Sequence, residues 1–361
     1  MSVDRPHDGD PGGQPGASRR ARHYIPRVTL REIAELAGVH PATVSRALSP
    51  ERSSMVSDET RSFVQEKAAE LGYEPSIPAR TLRHGRSDTM GVIVADLENP
   101  YTGQMVRGME NALEGRGIMA LIAETQDDVD RMGRVVSHLF SRSVDAIIST
   151  AARRGTEAIL NKAYQRVPVV LADRSLPGSG LRTVAPDDVL GGRLVAEHLL
   201  ELGHRKVAQL IGPPGISSFE RRTQGFQTTI EQGGGELIDV GDVARDPTVD
   251  EGRRLTDRLL AQGELPTAIY AQNDLMALGV LDRLTTLGYR CPQDISIVGC
   301  DDLQLTAFTS PPLTTVKLPG YQLGRMAAEM AVALAEDASV EITDLTLTPA
   351  LIVRRSTAPI M

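Results

Sequence analysis

The chain has no tryptophan and only two cysteines, and aromatic residues fill 3% of its 361 positions. Cys291 and Cys300 are too few for a disulfide scaffold, and no Cys/His cluster has metal-ligand spacing. No metal is expected, and a reducing compartment is. With so few rings to stack on, any site must work mainly through polar and charged groups. Long apolar runs are missing too: none approaches the roughly 20 residues of a membrane span. The first 27 residues are polar and rich in Gly, Pro and Arg, without the apolar centre of a signal peptide. The expectation is a cytoplasmic protein with no membrane partner. Phosphate-binding fingerprints are absent as well. Where a dinucleotide enzyme carries Gly-x-Gly-x-x-Gly the chain reads Asp96-Leu-Glu-Asn-Pro-Tyr101, and Gly212-Pro-Pro-Gly215 lacks the Lys-Ser/Thr of a Walker loop. No Ser/His pair stands in a nucleophile context. Catalytic residues and a cofactor are therefore not expected.

What is present is a globular composition, 41% apolar and 24% charged, long enough for two or three domains. The net charge of -8 speaks against a surface made entirely for nucleic acid. Its distribution changes that conclusion. Residues 1–88 carry 13 basic against 12 acidic side chains, a net of +1, whereas the rest carry 26 against 35, a net of -9. Arg19, Arg20, Arg22, Arg27 and Arg31 follow one another with no acid between them, and Arg80, Arg83, His84 and Arg86 come later. Basic clusters of this kind suit phosphate contact, since each neutralised phosphate releases counterions; a solvated basic arm is the plainer alternative.

Between the clusters lies a patterned segment. Thr29-Leu30-Arg31-Glu32 is a capping box; Leu30, Ile33, Ala34 and Ala37 share one helical face, and Gly38 supplies a left-handed stop. Pro41 suits a first helical position, and Val44, Ala47 and Leu48 form the next apolar stripe. A third helix is expected from about Ser57 to Gly72, burying Phe63, Val64, Ala68 and Leu71. Two short helices across a glycine turn, closed by a third, read as a helix-turn-helix; a small helical interaction module is the alternative. The outward residues of the second helix, Pro41, Ala42, Thr43, Ser45 and Arg46, are small enough for close approach to a major groove. Arg46 could take two guanine acceptors, and Thr43 and Ser45 could reach phosphates. Thr29, at the entrance of the first helix, joins this DNA-contact set.

The run Val28 to Leu48, with Val56-Ser-Asp-Glu-Thr-Arg61 and Leu71-Gly-Tyr-Glu-Pro75, resembles the headpiece of the lactose-repressor (LacI/GalR) family of bacterial transcription regulators. His40 and Ser49 depart from it, standing where that family usually has a serine cap and an asparagine. Ser76-Ile-Pro-Ala-Arg-Thr-Leu-Arg83 is similar to the family's hinge helix. Eight residues are too few for a helix to persist alone, so it should order on DNA. The resemblance implies a minor-groove wedge at Leu82, with Arg80 and Arg83 beside phosphates.

From Met90 onward, short buried runs alternate with helical stretches: 91–95, 119–123, 146–148, 169–172, 207–211, 268–271 and 296–299. That alternation means βαβ units and parallel sheet, in which ligands bind beyond the carboxyl ends of the strands. Glu98-Asn-Pro-Tyr101, Leu202-Gly-His-Arg205, Arg222-Thr-Gln-Gly-Phe226, Gln272-Asn-Asp274, Val298-Gly-Cys-Asp-Asp302 and Pro311-Pro-Leu-Thr-Thr315 resemble the family's effector domain, a fold similar to periplasmic sugar-binding proteins. The expected architecture is thus a basic arm (1–27), an all-α helix-turn-helix headpiece (28–74), a hinge (75–88) and a two-lobed α/β effector and dimerisation domain (89–361). The chain should cross between lobes near Pro186, Lys317 and Ile342, giving one lobe of about 89–186 and 317–342 and another of 187–316 and 343–361.

Positions matching the family's effector contacts are Asp173, Arg174, Arg222, Asn273, Asp274 and Asp301, with Asn99, Tyr101 and Thr125 at strand ends of the first lobe. Such groups suit a hydroxyl-rich ligand or a ligand anion. Each Asp singly could instead be a helix cap. Cys300 replaces a usual aromatic and Asp188 a usual asparagine, while His198 and His204 read as structural. The expectation is a homodimeric repressor of a carbohydrate operon, bound to a near-palindromic operator under control of a sugar or sugar derivative. The last residues, Arg354 to Met361, show no heptad extension, so no tetramerising tail is expected. A solute-binding sensor without DNA function is the alternative.

Overall fold

The computed structural model describes residues 28–49, 53–73, 86–337, 339–341 and 343–360. These form two compact units, one within residues 28–73 and one within 86–360.

The first unit holds α1 (Leu30–Ala37), α2 (Pro41–Ala47) and α3 (Asp58–Glu70). The capping box of α1 is complete: Glu32 N–H donates to Thr29 Oγ1 at 3.3 Å, and Thr29 N–H to Glu32 Oε2 at 2.6 Å. Gly38 takes φ of 62°, a backbone conformation that costs glycine little, and the turn is closed by Val39 N–H to Ala34 O at 3.0 Å. His40 does the work of the serine it replaces, its Nδ1 accepting from Ala42 N–H at 3.1 Å. Ile33, Ala34, Val44, Ala47, Val64 and Ala68 make the small core. Phe63 corrects the expectation of burial: it is 43% exposed. Val64 and Ala68 take the inward stripe of α3 and turn Phe63 to solvent, where Lys67 Nζ stands 5.7 Å from its ring centroid.

The second unit is built on two six-stranded sheets. The first has the order β11-β5-β4-β3-β1-β2, formed by β1 (Thr89–Val94), β2 (Met119–Glu124), β3 (Ala146–Ser149), β4 (Val169–Ala172), β5 (Arg182–Pro186) and β11 (Leu345–Leu347). The second has the order β12-β10-β9-β8-β6-β7, formed by β6 (Lys206–Leu210), β7 (Glu236–Ile238), β8 (Ala268–Ala271), β9 (Ser296–Asp301), β10 (Thr314–Lys317) and β12 (Ala350–Ile352). All pairings are parallel except β10 with β12, as crossover helices require. The helices are α4 (Pro100–Glu114), α5 (Val129–Ser141), α6 (Glu157–Tyr164), α7 (Asp188–Glu201), α8 (Ser217–Gln232), α9 (Val249–Ala261), α10 (Asp274–Thr286) and α11 (Gly320–Glu336).

The chain passes from the first sheet to the second after β5, and returns after β10, because α11 packs on α4 and on β3, β4 and β5. The third crossing corrects the expected position near Ile342, a residue outside those described. Leu345–Leu347 still pairs with β5, and Ala350 is the first residue to pair with β10, so the crossing lies between them. Paired helices approach closely through glycine. A Cβ on Gly225 would lie 2.0 Å from Val189 O, and one on Gly192 would lie 2.2 Å from Arg222 O, so α7 and α8 cross with backbones in contact. Arg222 is thereby held against the start of α7.

Candidate effector cleft and nucleic-acid interface

On the helix-turn-helix, Ala42 and Arg46 are exposed, while Pro41, Thr43 and Ser45 are half-buried. Thr29 is exposed, but its hydroxyl is engaged in the capping box. The second helix thus offers a short side chain and one long guanidinium, anchored from behind by Val44 and Ala47. Arg80, Leu82 and Arg83, and the arm of residues 1–27, lie outside the described residues.

In the second unit, polar groups gather at the carboxyl ends of strands of both sheets. A cleft of about 210 Å³ is lined by Asn99, Tyr101, Asp127, Asp173 and Arg174 beside the first sheet, and by Asp246, Pro247 and Thr248 from the second lobe. An adjoining cavity of about 320 Å³ is lined by Asp173, Asp188, Ser217 and Arg221 among others. Asp173 faces both. Its backbone sits at φ of 70°, and Asp301 sits at 127°, left-handed conformations that an L-residue holds only when its surroundings fix it, as at functional sites.

The hydrogen bonds define the charges. Tyr101 Oη donates to Asp173 Oδ1 at 3.3 Å. Arg222 donates from Nε to Asp188 Oδ1 at 2.8 Å and from Nη1 to Gln272 O at 2.8 Å, with its guanidinium 5.6 Å from the Phe219 ring centroid. Arg174 grips both oxygens of Asp127, from Nη1 at 2.5 Å and Nη2 at 3.2 Å. Burial pushes the Asp188 carboxyl up to about 7, with Arg222 pulling it back. Burial also raises Asp173 against Arg222 and Arg174, and raises Asp301 well above the carboxylate range against the same Arg222. Asp301 Oδ2 and Tyr270 Oη are buried without a hydrogen-bond partner. Neither residue is among those lining the two cavities.

The expected effector residues divide in two. Asn99, Tyr101, Asp173 and Arg174 line the cleft, and Arg222 and Asp301 lie in the connected charge cluster. Asp274 belongs to the same cluster, where its charge helps raise Asp301, while Thr125 and Asn273 stand outside it. Thr125 is 1% exposed and donates back to Val94 O at 3.3 Å. Asn273 caps α10, accepting from Met276 N–H at 2.8 Å and donating to Pro247 O at 2.8 Å. Asp274 is fully buried, with Thr315 Oγ1 at 2.6 Å on one oxygen and Leu303 N–H at 2.8 Å on the other. These bonds give the three a role in the fold, and none of them lines either cavity. Asp127 was missed, although it follows β2 as Asp96 follows β1 and the same strand-end rule reaches it. The segment 246–248 ends the loop from β7 to α9, and β7 was not among the expected strands. His198 bonds Thr357 Oγ1 at 3.0 Å, and His204 bonds Thr267 Oγ1 at 2.9 Å and Ala358 O at 3.1 Å, so both fasten the end of the chain to the second lobe. Among the described residues no group of His, Cys, Asp and Glu could hold a metal ion, and no helix is long and apolar enough to cross a membrane.

A family model described as "Bacterial regulatory proteins, lacI family" matches residues 29–76, and one described as "Periplasmic binding protein-like domain" matches residues 196–357. The Ribose operon repressor of Escherichia coli (strain K12) is 30% identical over 330 residues, 91% of this chain and 99% of that relative. The HTH-type transcriptional repressor CytR of the same organism is 31% identical over 310 residues, 85% of this chain and 90% of its own. Among solved structures, the lac repressor dimer bound to operator and the anti-inducer ONPF has a TM-score of 0.82 at 29% identity, covering 92% of this chain and 99% of that one. A LacI family transcriptional regulator from Enterococcus faecium with bound ribose has a TM-score of 0.66 at 25% identity, covering 76% of this chain and 100% of that one.

Proposed function

The chain belongs to the lacI family of bacterial regulatory proteins, which are transcriptional regulators rather than enzymes, and from that premise we propose that it is a cytoplasmic, dimeric repressor whose operator affinity is set by a sugar-like effector. The observation that carries this reading is the union in one chain of a capped helix-turn-helix exposing Ala42 and Arg46 with a buried carboxylate and guanidinium cleft. α2 enters the major groove, where Arg46 reads guanine and the small neighbours permit approach. Leu82 wedges into the minor groove, and Arg80 and Arg83 neutralise phosphates. Effector binding between the lobes changes their angle and, through the dimer, the hinge. The coupling is reciprocal, so an effector that weakens operator binding itself binds more weakly to the operator complex.

The wider charge pattern supports division of labour: the acidic sensor, net -9, stays off DNA while the arm and hinge supply basic residues. Gel-shift titration of the full chain on genomic promoter fragments tests the reading. Retardation that weakens steeply with salt and responds to a sugar supports it; no retardation at low salt refutes it.

A further inference from the structure

We propose that the first lobe carries a second ligand site, away from the effector cleft, that takes a phosphate monoester. This goes beyond the regulator reading and does not depend on it. An open cavity of about 410 Å³ lies at the amino ends of β1, β3 and β4, and its charged lining is Arg86, Asp145 and Arg166. The cleft lies at the opposite ends of these strands, one length of β1 away, which is about 20 Å for six residues. The Asp145 carboxylate is occupied, accepting from Ser87 N–H at 2.8 Å on one oxygen and at 3.1 Å on the other. The two guanidinium groups are not. Arg166 lies over the Phe140 ring, 4.8 Å from its centroid, and among the described residues no hydrogen bond or ion pair engages its side chain. Arg86 Nε is buried without a hydrogen-bond partner. Glu336 stands 3.9 Å from Arg86 Nη1, beyond hydrogen-bond reach, and is shared with Arg116 at 3.8 Å.

Arginines that follow helices often serve the last helical carbonyls. Here those carbonyls have other donors. At the end of α5, His138 O accepts from Ser141 Oγ at 2.7 Å, Leu139 O from Arg142 N–H at 3.0 Å and Phe140 O from Ser143 N–H at 3.0 Å. After α6, Ala163 O accepts from Arg166 N–H at 2.9 Å, so the Arg166 guanidinium is left for a ligand. Two cations against one carboxylate give the lining a net charge of +1, and the neighbouring Arg116 and Glu336 cancel each other. A phosphate group accepts from two planar forks at once, and a small turn of the half-buried Arg86 side chain would present its stranded donor to that acceptor. Inorganic phosphate alone would leave most of the cavity empty. Phe140, Val144 and Val167 give the rest of the wall apolar surface, which suits the carbon skeleton of an ester.

Isothermal titration calorimetry of the full chain in phosphate-free buffer tests the site, with glucose 6-phosphate, glycerol 3-phosphate and inorganic phosphate as probes. One of the two esters should bind more tightly than inorganic phosphate. Arg166→Ala and Arg86→Lys should each weaken that ester at least about tenfold, since the lysine keeps the charge but loses the fork. Arg142→Ala removes an exposed arginine outside the lining, and Arg221→Ala alters the cavity beside the cleft. Both should leave ester binding unchanged. Should Arg166→Ala or Arg86→Lys fail to fold, the other carries the comparison. The proposal is overturned if neither ester binds, if inorganic phosphate matches both, or if a folded member of the first pair binds as the wild type does. A comparable loss in Arg221→Ala also overturns it, because the anion would then sit at the cleft, and the same loss in Arg142→Ala would reduce it to general surface charge. Operator binding by the unliganded chain is read separately: its loss would refute the regulator reading and leave this site standing.

Discussion

Arg222 Nε lies 2.8 Å from Asp188 Oδ1, joining the middle of the α7–α8 crossing to the first turn of α7, with side chains 4% and 2% exposed. Removing one partner of such a pair strands a buried charge, which costs about 3–5 kcal/mol. Arg222→Ala should destabilise the second unit by about that amount in urea unfolding and abolish any effector response. Asp188→Asn keeps shape and hydrogen bonding and should cost less. Equal losses for the two would mean that the pair is not the source of the effect.

The same pair predicts a pH dependence. Asp188 titrates near 7 in the fold, above the ordinary carboxylate value near 4, so the folded state holds a proton that the unfolded chain has released. Its contribution to stability is complete below about pH 4 and is lost as pH rises toward 7. His198 and His204, depressed by burial, act in the opposite sense: their contribution is present above the unfolded value near 6.5 and is lost as pH falls. Subtracting the Tm profile of Asp188→Asn from that of the wild type cancels the histidines. The difference should fall between about pH 4 and 7 and level off above, and a flat difference contradicts the assignment.

The glycine crossing predicts a contrast between two chemically identical substitutions. In Gly225→Ala the new methyl would meet backbone 2.0 Å away, and the helices must separate, at about 1–3 kcal/mol or more. Gly103→Ala, in α4 with nothing within 4 Å, should be neutral or stabilise by up to about 1 kcal/mol. Thermal unfolding of the two variants measures the difference.

On DNA, Arg46→Ala should cost about 1–3 kcal/mol at the cognate site and relax preference at one base pair. Removing residues 1–26, which carry Arg19, Arg20 and Arg22, should instead weaken binding to all sequences alike. It should reduce the slope of log affinity on log salt by about 0.9 for each phosphate that is no longer neutralised. Anisotropy titrations at several salt concentrations distinguish the two.

Much of this was legible in the residues because local chemistry fixed it. Thr29 with Glu32, Gly38 and Pro41 each dictate a backbone outcome within a few positions, and the apolar runs at 146–148 and 169–172 are strands wherever a parallel sheet forms. Less legible was what a partner distant in sequence adds to a residue's role. Nothing local to Asp274 announces that Thr315 Oγ1 and Leu303 N–H bond its two oxygens. Arg174 looks available until Asp127, 47 positions earlier, takes both nitrogens. Leu345–Leu347 carries no lobe assignment in its own residues; pairing with β5 supplies it. Asp188 stood out only as a departure from a family habit, and its meaning came from the close approach of α7 and α8.

The central claim, an effector-controlled repressor that reads DNA as a dimer, is tested most directly by selection from a pool of random duplexes with the full chain, in the presence and absence of a sugar that raises its Tm. The account predicts enrichment of one site with two inverted half-sites, relaxed at one base pair of each half-site in the Arg46→Ala selection, and a change in its affinity when the sugar is added. A pool that stays random, or a single site without inverted symmetry whose affinity ignores the sugar, would contradict it.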